Sequence, residues 1–323
     1  MKEFDLIERF FKRGGYTRKD VLIGIGDDAA ITQVPEKQCL ATTTDTLVSG
    51  VHFLPDAPAH AVAHKAMAAN LSDLAAMGAE PAWVSLSLSI PETEEAWLDS
   101  FSQGIYELLE YYHVQLIGGD TVFGPLSLTI TAQGFVPEDS SLKRSGAKPG
   151  DWIFVTGHVG DAGAGLDILK QALAASGADA EYLIKRHRYP SPQVVAGTAL
   201  RRCASACIDI SDGLLADLSH ILKASKCGAL VHVDRLPLST QLCNVANPEQ
   251  AIQYGLTAGD DYELLYTIGE EYKSKVETAL TTFGIKTTCI GQVTGQVDKV
   301  ELRQNDKPFN FTGRKGFEHF NGS

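Results

Sequence analysis

Two short segments of the first half alternate with a period of two. "VSLSLSI" (84–90) sets Val84, Leu86, Leu88 and Ile90 on one side and three serines on the other. "LSLTITAQGFV" (126–136) sets Leu126, Leu128 and Ile130 against Ser127, Thr129 and Thr131. This spacing predicts strands with one buried and one polar face, as in an antiparallel or mixed sheet. Helical segments surround them. Residues 60–77 are Ala-rich and stop at Gly78; residues 92–113 follow Pro91, carry acids in the first turn and lead into the strand "VQLIGGD".

The texture changes over 137–151, "PEDSSLKRSGAKPGD", which has Pro, Gly and Ser and no periodicity. It divides the chain into an N-terminal domain (1–138), a linker (139–150) and a C-terminal domain (151–323). The second half opens with the buried strand "WIFVTG" (152–157) and the Gly-rich turn "GHVGDAGAG", followed by a helix over 164–175. Further strands are expected at 207–210, 229–233, 263–268 and 287–293, and helices at 192–206, 212–226 and 271–283. Both halves mix helix and strand, and neither has the strict βαβ rhythm of a dinucleotide-binding unit.

At 323 residues with 44% apolar content, the chain can bury a sizeable core in one large or two ordinary domains. Its net charge of −12 argues against a nucleic-acid binder and is odd for a protein that handles phosphates, unless cations intervene. The start, "MKEFDLIERFFKR", is amphipathic through Phe4, Ile7, Phe10 and Phe11 and lacks the uninterrupted apolar core of a signal peptide. No stretch has the length of an apolar membrane span. Six cysteines without a CxxC pair suit a reducing cytoplasm. The expected location is therefore cytoplasmic, with no membrane and no nucleic-acid partner.

The familiar phosphate loops are missing: "GIGDDA" meets only the first two glycines of GxGxxG, and no GxxxxGK[ST] occurs. "GHVGDAGAG" has two readings, amides offered to an anion at a helix start or a tight turn that lets a helix pack closely on a strand. Acids, by contrast, recur where apolar segments end or run: Asp27 and Asp28 in "GIGDDAA", Asp45 after Thr43 and Thr44 at a strand end, Asp73 inside the Ala-rich helix, Asp120 after Gly118 and Gly119, Asp209 and Asp212 around Ser211, and Asp260 with Asp261. On a helix, Asp73 shares its face with Asn70, Ala69, Ala66 and Met77, so its carboxylate needs a cation or strong donors. Ser211 or Asp212 also reads as a helix N-cap. If several of these acids converge, cations must relieve their repulsion. Oxygen-only, carboxylate-rich ligation suits Mg²⁺ or Mn²⁺, with phosphate oxygens completing the octahedron.

Seven motifs in order, "GIGDDAA", "TTDTLVSGVHF", "NLSDLAAMGAEPAW", "LIGGDT", "RSGAKPGD", "IDISDGL" and "GDDYELLY", with the tail "KGFEHF", resemble the thiamine-monophosphate kinases over nearly the whole chain. These belong with the aminoimidazole ribonucleotide synthetases, selenophosphate synthetases and HypE maturation factors. The resemblance implies a two-domain α+β fold of the aminoimidazole ribonucleotide synthetase type. Its N-terminal mixed sheet would form a barrel across a homodimer, and its C-terminal domain would be α+β. It also implies ATP- and magnesium-dependent phosphorylation of thiamine monophosphate to thiamine diphosphate by in-line transfer. By the same resemblance, Asp28, Thr43, Thr44, Asp45, Asp73, Asp120, Asp209 and Asp212 match metal ligands, whereas Asp27 matches only the motif and would shape the turn or the ligands' surroundings. Gly119, Asp120, Arg144 and Ser211 match ATP contacts, and His52, Asp260 and Phe317 match positions that hold thiamine monophosphate. No residue is assigned as a general base. Where the family usually has "GGEDYEL", this chain has "AGDDYEL", so Asp260 replaces a Glu and reaches one methylene less far.

Two relatives with other chemistry are disfavoured by the residues. HypE factors end in a reactive cysteine, whereas this chain ends "EHFNGS" with its last cysteine at 289. Selenophosphate synthetases carry Cys or selenocysteine before the first motif, where this chain has none. An aminoimidazole ribonucleotide synthetase-like ligase stands as the nearest enzyme alternative.

Overall fold

The computed structural model describes residues 3–12, 14–313 and 316. The chain divides into two compact units, Met1–Leu74 with Ala79–Asp139, and Ala75–Gly78 with Ser140–Ser323. Among the described residues no helix is long and apolar enough to cross a membrane.

The first unit begins with α1 (Glu3–Leu6), continued as a π-helical turn over Ile7–Phe11 that buries Phe10 and Phe11. A small antiparallel pair follows, β1 (Val21–Ile23) with β2 (Ile31–Thr32). Then come β3 (Gln38–Val48), α2 (Ala59–Ala76), β4 (Glu80–Ile90), α3 (Glu95–Tyr111), β5 (Gln115–Phe123) and β6 (Ser127–Pro137). The four long strands form a mixed sheet in the order β3-β6-β4-β5, parallel only between β4 and β5. That parallel pair needs a crossover, which α3 supplies, so one βαβ unit is present after all.

The two-residue period decides which face is which. Leu86, Leu88, Leu128 and Ile130 are buried on one side. On the other, the hydroxyls of Thr44 and Thr131 (2.9 Å) and of Thr46 and Thr129 (2.8 Å) pair across β3 and β6. The alanines of α2, the residue with the lowest helix cost, let neighbours approach closely. A methyl on Gly104 of α3 would lie 2.5 Å from the carbonyl oxygen of His60. Gly78 (φ 66°) ends α2, and the Ala79 amide donates back to the Leu74 carbonyl at 2.8 Å.

The second unit contains β7 (Trp152–Thr156), α4 (Asp161–Leu169), α5 (Gly177–Arg188), α6 (Val194–Leu200), β8 (Ala204–Asp209), α7 (Leu214–Ser225), β9 (Gly228–His232), a 3₁₀ turn (Val233–Arg235), α8 (Thr240–Val245), α9 (Pro248–Thr257), β10 (Leu264–Ile268), α10 (Glu270–Thr282), β11 (Thr287–Thr294), β12 (Val300–Gln304) and β13 (Lys307–Pro308). Its seven strands run in the order β13-β12-β9-β11-β7-β10-β8, and only β9 and β12 are parallel. Ile153 and Val155 of β7, Ile208 of β8, Leu265 of β10 and Ile290 of β11 form a core with Leu214, Leu218 and Ile221 of α7.

Several expected boundaries move. The helix expected over 164–175 is α4, which starts at Asp161 and stops at Leu169, with Gln171 just beyond it left-handed at φ 59°. The helix expected over 192–206 is only α6, because Arg202 (φ 60°) turns the chain and residues 204–209 pair with β10 as β8. Asp45 stands inside β3, three residues before its end at Val48, not at the strand terminus.

Candidate functional site

In the first unit, α2 and β3 bring three of the expected residues together. Thr43 and Asp45 alternate along β3 with the exposed Thr44 and Thr46. The Thr43 hydroxyl donates to the Asp73 carboxylate of α2 in a short hydrogen bond. Burial, and then the nearby charge of Asp73, push the Asp45 carboxyl up to about 6 from its ordinary value. This strand-and-helix pair therefore assembles two carboxylates and a hydroxyl, whose crowding raises the cost of charge.

The sheet register separates Asp120 from that group. Asp120 pairs with Ser87, Ser87 with Thr129, and Thr129 with Thr46, which is the serine–threonine face. Asp45 lies in the neighbouring row, Asp45–Ile130–Leu86–Gly119. Gly119 is fixed by its surroundings: at φ 155° any Cβ would fall 1.9 Å from the Leu86 carbonyl oxygen. Asp28 is exposed in the β1–β2 loop, and the carboxylate of Asp27 accepts its amide at 2.9 Å, closing the turn. His52 follows β3. Its Nδ1 accepts the Val48 amide at 3.0 Å, which leaves the proton of the neutral ring on Nε2.

The second unit gathers its expected residues on two loops. Asp209 ends β8 and is buried; Ser211 and Asp212 follow, half-buried. The Asp260 amide donates to the Ser211 carbonyl and the Tyr262 amide to that of Ile210, each at 2.9 Å, which ties the loop before β10 to the loop after β8. Arg144 is exposed, while its carbonyl and the amides of Gly146 and Ala147 share the Ser225 hydroxyl at the end of α7. Phe317 lies outside the described residues.

The expected side-chain cap on α7 is replaced by another device. The N-cap is Gly213, which has no side chain to offer. One oxygen of Asp217, Oδ2, accepts the amides of Ser211, Asp212 and Gly213 at 3.1, 3.2 and 3.1 Å. Burial and the charge of Asp212 push this carboxyl up to about 7, while the three amides pull it down. The Gly-rich turn before α4 behaves alike. The amides of Gly160 and Ala162 donate to Asp261 at 2.6 and 3.1 Å, so a carboxyl group does occupy that helix start, and it belongs to the protein. The turn is also tight: a Cβ on Gly163 would meet Ala258 at 2.3 Å and one on Gly165 the Leu183 carbonyl at 2.1 Å.

Around Asp261 lies a buried charged group. Arg186 of α5 pairs with Glu263 at 2.9 Å, whose other oxygen accepts the Thr156 hydroxyl at 2.7 Å, and Ser239 donates to Asp161 at 2.6 Å. Burial pushes the carboxyls of Asp161, Asp261 and Glu263 up, Asp261 to about 8, and lowers the imidazole of His158. A carboxyl raised above its ordinary 3.8 contributes stability that is full below that value and is lost as pH rises through about 8. Asp261→Asn cannot undergo this loss, although it gives up one acceptor. We expect the unaltered protein to melt above the variant at pH 5 and to surrender part of that lead by pH 8.5, as read by calorimetry without magnesium. A lead that widens with pH would contradict a burial-dominated Asp261.

Two family models match the chain: the N-terminal domain of AIR synthase related proteins over residues 26–136, and the C-terminal domain over 148–303. The thiamine-monophosphate kinase of Escherichia coli (strain K12) is 52% identical over 319 residues, 98% of each chain. The chain belongs to the thiamine-monophosphate kinase family. Solved structures agree with this kinase family. The thiamine-monophosphate kinase of Stenotrophomonas maltophilia K279a superposes with a TM-score of 0.85 at 41% identity, covering 92% of this chain and 94% of its own. AaThiL complexed with AMPPCP and TMP superposes with a TM-score of 0.77 at 30% identity, covering 98% and 96%.

The donors present suit the magnesium that the kinase family implies. Thr43, Asp45 and Asp73 offer only hard oxygen, and the raised Asp45 carboxyl registers a charge that a cation would relieve. Among the described residues no set of three or more His, Cys, Asp or Glu side chains is grouped to hold a metal. Sequence reasoning passed over Asp217, Arg186, Glu263 and Asp161. Asp217 stands in the run "SDGLLADL" (211–218), four residues past the N-cap, a spacing from which a carboxylate can turn back on the helix start. Arg186 meets Glu263 across 77 positions, a separation at which local pattern carries no information.

Proposed function

We propose that this chain transfers the terminal phosphoryl group of ATP to thiamine monophosphate by direct in-line displacement with magnesium, giving thiamine diphosphate and ADP. The observation that carries this reading is the Asp45–Asp73 pair with the Thr43 hydroxyl, an all-oxygen set crowded enough to raise one carboxyl to about 6. Such transfer asks a protein for positioning and charge neutralisation rather than a strong base. When bound, magnesium would neutralise phosphate oxygens and orient them for attack.

The chain's residues divide the remaining work. Asp45, Asp73, Thr43 and Thr44, with Asp28 and Asp120, would supply metal ligands from the first unit, and Gly119 a backbone approach to ATP. By the family resemblance, Asp209 and Asp212 would be metal ligands too, and Ser211 and Arg144 nucleotide contacts; a planar guanidinium suits phosphate. His52 and Asp260 would hold thiamine monophosphate, as would Phe317 against its cationic ring. The acceptor is already a phosphate anion, so none of these acids need remove a proton from it. We further propose a cytoplasmic homodimer in which the serine–threonine face of the first unit's sheet closes into a barrel. The hydroxyl rows, with Thr44 and Thr46 exposed, and the exposed Val122 in the Ser89 row of β5 support that face as one that is covered.

Purified protein should convert ATP to ADP with thiamine monophosphate and magnesium, form thiamine diphosphate, and show no turnover with thiamine or after chelation. Turnover with thiamine, or with formylglycinamidine ribonucleotide in place of thiamine monophosphate, would overturn the proposal.

A further inference from the structure

The segment 259–263, "GDDYE", fixes four of its five residues by means unrelated to any ligand. Gly259 is pressed so close to the second unit's β8–α7 loop that a Cβ would lie 2.2 Å from the Ser211 carbonyl oxygen. Asp261 spends its buried carboxylate on the amides of Gly160 and Ala162. Glu263 spends its own on Arg186 and Thr156. Tyr262 is buried and left-handed, at φ 52°. Asp260 is left-handed too, at φ 67°. Aspartate tolerates that region, but for a bulky aromatic residue it is a rare and costly conformation, held only where the surroundings over-determine it. Here the amides of residues 260 and 262 donate to the carbonyls of Ser211 and Ile210, which supplies that constraint.

Only Asp260 keeps its side chain in partial contact with solvent, at 30% exposure. Its Oδ1 accepts the Tyr262 hydroxyl at 3.2 Å, and its Oδ2 lies 3.9 Å from Nδ1 of the buried His187 on α5. The strained residue is thus the one that reaches back to the carboxylate two positions earlier. We infer that Tyr262 is a positioning residue: its left-handed backbone exists to aim the hydroxyl at Asp260 and so to orient the carboxylate that receives the acceptor substrate. The inference rests on the proposed role of Asp260 toward thiamine monophosphate. It gives a shortened acid, Asp where the family usually has Glu, a defined direction in place of reach.

Tyr262→Phe keeps the ring and the strain and removes only the hydroxyl. Steady-state kinetics of the full chain, Tyr262→Phe, Asp260→Ala and the double variant test it, with melting temperatures alongside. Asp260→Ala should raise KM for thiamine monophosphate roughly tenfold or more, and Tyr262→Phe roughly three- to tenfold, each with kcat and the KM for ATP near those of the unaltered protein. The double variant should match Asp260→Ala alone, because the hydroxyl then has nothing to orient. If Asp260→Ala raises the KM and Tyr262→Phe does not, or if the two effects multiply, the positioning role is overturned. If Asp260→Ala leaves the KM unchanged, the substrate role of Asp260 itself fails, and with it the basis of the inference. A merely structural tyrosine would lower the melting temperature and shift both substrates' KM together.

Discussion

Asp45→Asn is expected to abolish phosphorylation of thiamine monophosphate, a fall in kcat of roughly 10³-fold or more, while the protein remains folded. The two halves of this expectation have one cause. Asp45 and Asp73 crowd each other at the β3–α2 contact, and burial adds to the cost of their charge. Without magnesium, the raised Asp45 carboxyl contributes stability that is full below about 4 and is lost as pH rises through about 6. The neutral amide removes that loss. Above pH 6 the magnesium-free variant should therefore melt at or above the temperature of the unaltered protein. Magnesium should raise the melting temperature of the unaltered protein and do little for the variant, since only a ligand that binds the folded state stabilises it. Retained turnover would show that Asp45 holds no catalytic metal. A large drop in melting temperature would show that its role is structural.

Arg186→Met is expected to destabilise the second unit by about 3–5 kcal/mol, the usual cost of leaving one member of a buried ion pair behind. The guanidinium is the cation that meets Glu263 directly, and its charge also stabilises Asp261 and Asp161. Glu263 is almost wholly buried, and burial already pushes its carboxyl up against the pull of Arg186. Urea unfolding should show the loss as a lower midpoint. Adding Glu263→Gln to the Met variant should recover a substantial part of it, because the stranded charge is then gone. A loss below about 1 kcal/mol would mean that the pair behaves as a solvated one.

The parts of the fold that were legible in the sequence are those in which a period meets a face. The alternation in 126–136 yields β6 to within a residue at each end, and that in 84–90 the C-terminal part of β4, which begins four residues earlier, because a sheet with one buried side writes its register into every second position. The Ala-rich α2 and the Gly78 stop were equally readable. The helix α5 was not. Only Ala180, Leu183 and His187 of its twelve residues are buried, and a stripe that includes a histidine and ends in "KRHR" does not look like a core face. β8 was partly mistaken for helix, since "ASACID" is small and uniform and takes its form from pairing with β10. At the candidate site, the acids were visible as a class. Their partners were not, because a carboxylate such as Asp217 or Asp261 looks identical in sequence whether it awaits a cation or already holds backbone amides.

That last distinction has a further consequence for Asp217 and Asp261. In many phosphate-binding proteins the main chain at a helix start does the receiving, and the anion arrives from outside. Here the starts of α4 and α7 are self-sealed: each already has a side-chain carboxyl of the protein on its amides. In the proposed reaction these two helix starts would then leave phosphate recognition to cations, which come and go with the medium, and to other parts of the chain. Cutting either tether by replacing the aspartate with alanine would leave a vacant pair or triplet of amides. It would be a latent anion receptor, one substitution away from use.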